Sequence, residues 1–113
     1  MAISDTDKQR ITKWCEERTP VEQRDKLRVE VVFWGNSADI IDAHAPWHPA
    51  MGDQWERLRA AKVTWDPNTE KWTLFALDRN DKLIHYSDEI RVPATLTGVL
   101  REIDRDPTGI FWG

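Results

Sequence analysis

The chain has 113 residues and a mass of 13.2 kDa, enough for one domain over 1–113 and little more. With 40% hydrophobic and 32% charged residues, it has neither a membrane-embedded nor a disordered composition. A net charge of −4 and the lack of any dense basic run disfavour nucleic-acid binding. The densest cationic stretch, Arg57-Leu58-Arg59-Ala60-Ala61-Lys62, holds three charges.

The single cysteine, Cys15, rules out an internal disulfide and a Cys-rich metal site, and suits a reducing compartment. No stretch approaches the roughly 18 apolar residues of a membrane span. The first residues lack the basic start and apolar run of a signal peptide, so a cytoplasmic protein is expected. The unusual number is seven Trp, against three Phe and one Tyr.

Ser4 or Asp5 caps a first helix, whose inward stripe is Ile11, Trp14 and Cys15 with Arg18 at its end. Thr19-Pro20-Val21-Glu22 has the pattern of a second helix start and predicts one or two turns to about Asp25. From Leu27 the period changes to two. Leu27, Val29, Val31 and Phe33 share one face of a strand, and Arg28, Glu30, Val32 and Trp34 share the other. The second face turns apolar at its end, so cover is expected there, from the 45–56 loop, the C-terminal tail or a second subunit.

Gly35-Asn36-Ser37 turns the chain into a paired strand over 38–44. Residues 45–56 are punctuated by Pro46, Pro49 and Gly52 and anchored by Trp47, Met51 and Trp55, which predicts a packed loop. Three strands in close order follow. Ala61, Val63 and Trp65 alternate first, then Trp72, Leu74 and Ala76. Leu83 and His85 alternate against Ile84 and Tyr86 in the last, and turns at Asp66-Pro67-Asn68-Thr69 and Arg79-Asn80-Asp81 join them. Thr95 caps a C-terminal helix whose core stripe is Leu96, Val99, Leu100 and Ile103. A turn at Asp106-Pro107-Thr108-Gly109 then returns an Ile110-Phe111-Trp112 tail, which would be an apolar patch unless it docked. The expected fold is α+β: a five-stranded antiparallel sheet, hairpin plus three-stranded meander, with the N- and C-terminal helices on one face.

No motif carries chemistry. His44 and His48 have the spacing of helical metal ligands, but Pro46 and Pro49 forbid that helix. A loop site with Asp42 is weaker than capping or surface histidines. Asp78, Asn80 and Glu89 imitate a calcium loop, but Lys82 and Leu83 stand where an oxygen ligand and a glycine are needed. His85 and Tyr86 are neighbours in a strand and point to opposite faces. Glu102, Asp104 and Asp106 read as a solvated acidic face rather than a catalytic pair. No catalytic residue, metal or cofactor is assigned.

Among the tryptophans, Trp14, Trp65 and Trp72 lie on regular stripes and are expected in the core. Trp34, Trp47 and Trp55 stay open as binding or interface residues, with His44, His48 and His85 beside them. The leading expectation is a non-enzymatic binding or interaction module, with a homodimer through a sheet face or edge as the partner arrangement. The alternative is a small enzyme or ligand-binding protein with a pocket between the sheet and the 45–56 loop.

The run Leu100-Arg101-Glu102-Ile103-Asp104-Arg105-Asp106-Pro107-Thr108-Gly109-Ile110-Phe111-Trp112-Gly113 closely resembles the ending of a family of small, uncharacterised, mostly bacterial proteins, a domain of unknown function. Cys15, Glu16, Arg18 and Pro20, the Lys62-Val63-Thr64-Trp65 strand, and Trp72-Thr73-Leu74 with Asp78-Arg79-Asn80 also look like that family. The resemblance implies a compact single domain. It brings no activity, cofactor or catalytic residue.

Overall fold

The computed structural model describes residues 3–19, 21–46, 52, 54–78, 80–86 and 92–112. Helix α1 (Asp5–Glu17) precedes a 3-10 turn at Val21–Gln23. The strands are β1 (Leu27–Trp34), β2 (Ser37–His44), β3 (Glu56–Asp66), β4 (Lys71–Leu77) and β5 (Leu83–Ile84), and helix α2 (Leu96–Arg105) closes the order. All five strands form one antiparallel sheet in sequence order, with both helices and one core on a single face. The expected hairpin and meander are therefore joined edge to edge by β2 and β3.

The alternation explains the layering. On the helix side lie Val29, Val31 and Phe33 of β1, Ala38 and Ile40 of β2, Ala61 and Val63 of β3, and Trp72, Leu74 and Ala76 of β4. Ile11 and Cys15 of α1 and Leu96, Val99, Leu100 and Ile103 of α2 pack onto them. Ser4 Oγ accepts from Asp7 N–H and caps α1, and Thr95 Oγ1 accepts from Gly98 N–H and caps α2. Gly98, unfavourable in a helix by propensity, is required by a close approach. A Cβ there would stand 2.6 Å from the Pro93 carbonyl oxygen.

The residues on either side of α1 tie down the free edge of β1 at its two ends. The Ile3 N–H donates to Gly35 O at 3.1 Å, and Thr19 Oγ1 accepts from Val29 N–H at 2.8 Å. Thirteen helical residues span about 20 Å, as do the six strand steps from Val29 to Gly35. The helix thus matches the length of edge between these two ties. The full helical turns expected through Asp25 contract to the single 3-10 turn. Thr19 meanwhile turns its hydroxyl to the strand and to Cys15 O.

Strand β3 begins at Glu56, five residues before the alternation in the sequence becomes visible, and a bulge at Ala60 is the reason. The bulge shifts the side-chain period by one, so Arg57 and Arg59 point away from the helices rather than into the core. There Arg57 pairs with Glu30 at 3.5 Å and Arg59 with Asp81 at 3.1 Å.

The tail docks, as its composition requires. Asp106 adopts a left-handed conformation (φ 42°) directly before Pro107, and Gly109 N–H closes the turn onto its carbonyl. Its carboxylate accepts from Phe111 N–H at 3.1 Å and Trp112 N–H at 3.0 Å. Phe111 is buried 5.0 Å from the Tyr86 ring, and the Trp112 indole donates to Ile103 O at 2.8 Å. Removing residues 110–113 is expected to destabilise the fold by about 3–5 kcal/mol, the range for deleting a buried aromatic. A drop in the thermal midpoint of a chain ended at Gly109 checks this; an unchanged midpoint contradicts it.

Candidate functional site

The face away from the helices is where side chains are left with unfinished business. Cross-strand register sets them in rows. Trp34, Ser37, Thr64 and Thr73 form the outermost row, and Val32, Asp39, Lys62 and Phe75 form the next. His85 extends the second row, its ring meeting Phe75 edge-on at 4.8 Å. Trp34 is 64% exposed, and every other described Phe, Trp or Tyr is buried or half-buried. Ser37 and Thr64 share a hydrogen bond of 3.0 Å across β2 and β3. A groove of about 440 Å³ runs over this end, floored by Thr64, Thr73 and Phe75 and walled by Asn36, Asn68 and His85.

Asp39 is the residue that sequence reasoning missed. It is 8% exposed, and its Oδ1 is sealed from water with no hydrogen-bond partner. Such an acceptor costs about 1–3 kcal/mol, more when charged, so it calls for an explanation. Its directly opposite neighbour is Lys62, yet the ion pairs among the described residues do not join the two. The signal in the sequence was an acid inside a strand. The adjacent Ile40 and Ile41 hid which face it takes.

Of the other expected site residues, the described ones stand apart from one another. His44 lies at the far end of β2 opposite Glu56, with Nε2 3.1 Å from Asp42 Oδ1, and His85 lies on the opposite face beside Phe75. Trp55 is half-buried, with the Arg28 guanidinium 4.3 Å from its ring. Trp47 and His48 lie outside the described residues. The tail is ruled out as cover for this face, since Trp112 lies on the helix side. Among the described residues no group of three His, Cys, Asp or Glu side chains is placed to hold a metal. No helix among them is long and apolar enough to cross a membrane.

The sequence matches the family model "Domain of unknown function (DUF3024)" over residues 2–113. The chain belongs to this family. No curated protein and no solved structure matches it. The family thus carries a fold without an assigned chemistry, and the function of this DUF3024 chain rests on its own geometry.

Two titratable groups in the core show the contrast with the open face. Burial pushes the Cys15 thiol up to about 12 and removes it from thiolate chemistry near neutrality. Burial, and then the hydrogen bond of 2.6 Å to Glu102 Oε2, pushes the Tyr86 phenol up to about 12. The unfolded phenol ionises near 10, so this contribution to stability is complete below pH 10 and is lost as pH rises from 10 to 12. Tyr86 is the only tyrosine in the chain. Ultraviolet titration should therefore show one phenolate step near pH 12 in the folded protein and near 10 in denaturant; coincident steps would contradict the buried hydrogen bond.

Proposed function

We propose that this protein is a non-enzymatic interaction module that binds a protein partner through the Trp34 end of the sheet face away from the helices. The carrying observation is Trp34 itself. A side chain of this size, 64% exposed beside half-buried Val32 and Phe75, offers the aromatic anchor on which interfaces concentrate their energy. The β1 edge is a poorer binding surface, because Ile3 and Thr19 occupy backbone groups at both ends of it. A catalytic reading has no support of this kind, since His44 and His85 stand on opposite faces. The lone buried Cys15 supports a reducing, cytoplasmic setting, and the Asp-Pro-Thr-Gly-Ile-Phe-Trp-Gly ending supports a bacterial one.

A photo-crosslinking amino acid at position 34, introduced in the native host, is expected to give a discrete protein adduct. The same group at position 58, where Leu58 is 54% exposed on the other side of the sheet, is expected to give none. Trp34→Ala should change stability by less than about 0.5 kcal/mol, as for a surface residue, while abolishing the partner complex. Equal or absent adducts at the two positions would overturn the reading.

A further inference from the structure

Resting on that reading, we infer that the partner presents a proline-rich segment in the polyproline II conformation, laid across the strands over the Trp34 row with a basic residue beside Asp66. The row Trp34, Ser37, Thr64, Thr73 crosses β1 to β4. Unlike Asp39 behind it, every residue of this row is exposed or half-buried, so a ligand reaches it. Rings mark both ends. Trp34 stands at one, and half-buried Phe75 with the exposed His85 ring against it stands beside the other. Hydroxyls lie between. Ser37 and Thr64 share one hydrogen bond, which uses one of their two protons, and Thr73 carries a third hydroxyl. Asn36 and Asn68 add amides at the wall of the groove.

Chemistry, spacing and charge each select that segment. A polyproline II helix has no internal hydrogen bonds and its prolines donate none, so its carbonyls need outside donors, which hydroxyls and amides supply. Aromatic-lined grooves take such segments because their backbone is already ordered before binding. The repeat also fits the sheet. Three residues at about 3.1 Å each bring the same side of the ligand round every 9.3 Å or so, and alternate strands stand about 9.6 Å apart. Successive turns therefore meet Ser37 on β2 and Thr73 on β4 in the same way. Charge completes the match. In a chain with 32% charged residues, the described residues of the row and groove include no Lys or Arg and one carboxylate, Asp66. Its Oδ1 accepts from Asn68 N–H at 2.9 Å. An otherwise uncharged segment with one basic residue complements that set.

The probe is an oligoproline of about nine residues ending in lysine, roughly twice the 14 Å or so from β1 to β4, and as a homopolymer it presents every side to the row. Titrated into the isotope-labelled full chain, it is expected to shift the Trp34 indole N–H and the Ser37, Thr64 and Thr73 amide resonances with a Kd below about 1 mM. Weaker binding, shifts centred elsewhere, or equal binding of a glycine-serine peptide with the same lysine overturns the inference. Trp34→Ala is expected to raise the Kd more than about tenfold, and an unchanged Kd overturns the anchor. Exchanging the peptide's lysine for glutamate is expected to raise the Kd about threefold or more. Asp66→Asn keeps an oxygen for Asn68 N–H and is expected to remove that difference; a difference that survives overturns the charge match. The crosslink at position 34 separates the two levels. An adduct on a segment without proline keeps the interaction module and overturns the proline-rich partner, whereas no adduct at all overturns the module.

Discussion

The Arg18 guanidinium is the point where the N-terminal and C-terminal parts of the chain are held together. It stands 5.1 Å from the Trp14 ring and 4.8 Å from the Trp112 ring, and it forms an ion pair with Asp104. The Trp14 indole donates to the same carboxylate at 3.2 Å. One cation thereby joins α1, α2 and the tail. Burial lowers its pKa, yet an arginine stays charged, so the desolvated cation needs both the carboxylate and the two ring faces. A lysine offers no flat group to lie between two indoles. This explains why the tail carries tryptophan and why Trp14 sits only half-buried on its stripe.

With both helices fixed to one another, they fix the sheet. Arg10 reaches Thr97 Oγ1 at 2.6 Å further along the same helix pair, and the Trp72 N–H of β4 donates to Ala94 O just before α2 begins. Helix α1 is thereby set along β1 and α2 along β4, on the same side. Two helices can cover only one face of five strands. A chain of this length therefore builds its helix-covered core on one face of the sheet.

How far the sequence discloses this depends on whether a residue's environment is local. The β1 alternation, the Ser4 and Thr95 caps and the α2 stripe are written in neighbouring residues, and each stands where periodicity and capping place it. The tail was legible for a similar reason, because three apolar residues after a turn have one economical destination. The start of β3 was not legible. The Ala60 bulge reverses the period, so Arg57, Leu58 and Arg59 present no alternation that matches the residues after them. Nor was Asp39, whose isolation follows from what β1 and β3 bring to either side of it rather than from anything in β2. The placement of His44 and His85 was not legible either: His44 ends β2 and His85 follows β5, and which face each takes is decided by the register.

The face away from the helices carries buried charge as well as its exposed tryptophan. A sealed carboxylate oxygen beside an unengaged ammonium is not common, because a short swing of the lysine would ordinarily satisfy it. The bulge sharpens this. By turning Arg57 and Arg59 outward it places two further cations on the face, but Glu30 and Asp81 already engage them. What remains in the second row is one acid and one base, adjacent and flanked by apolar residues.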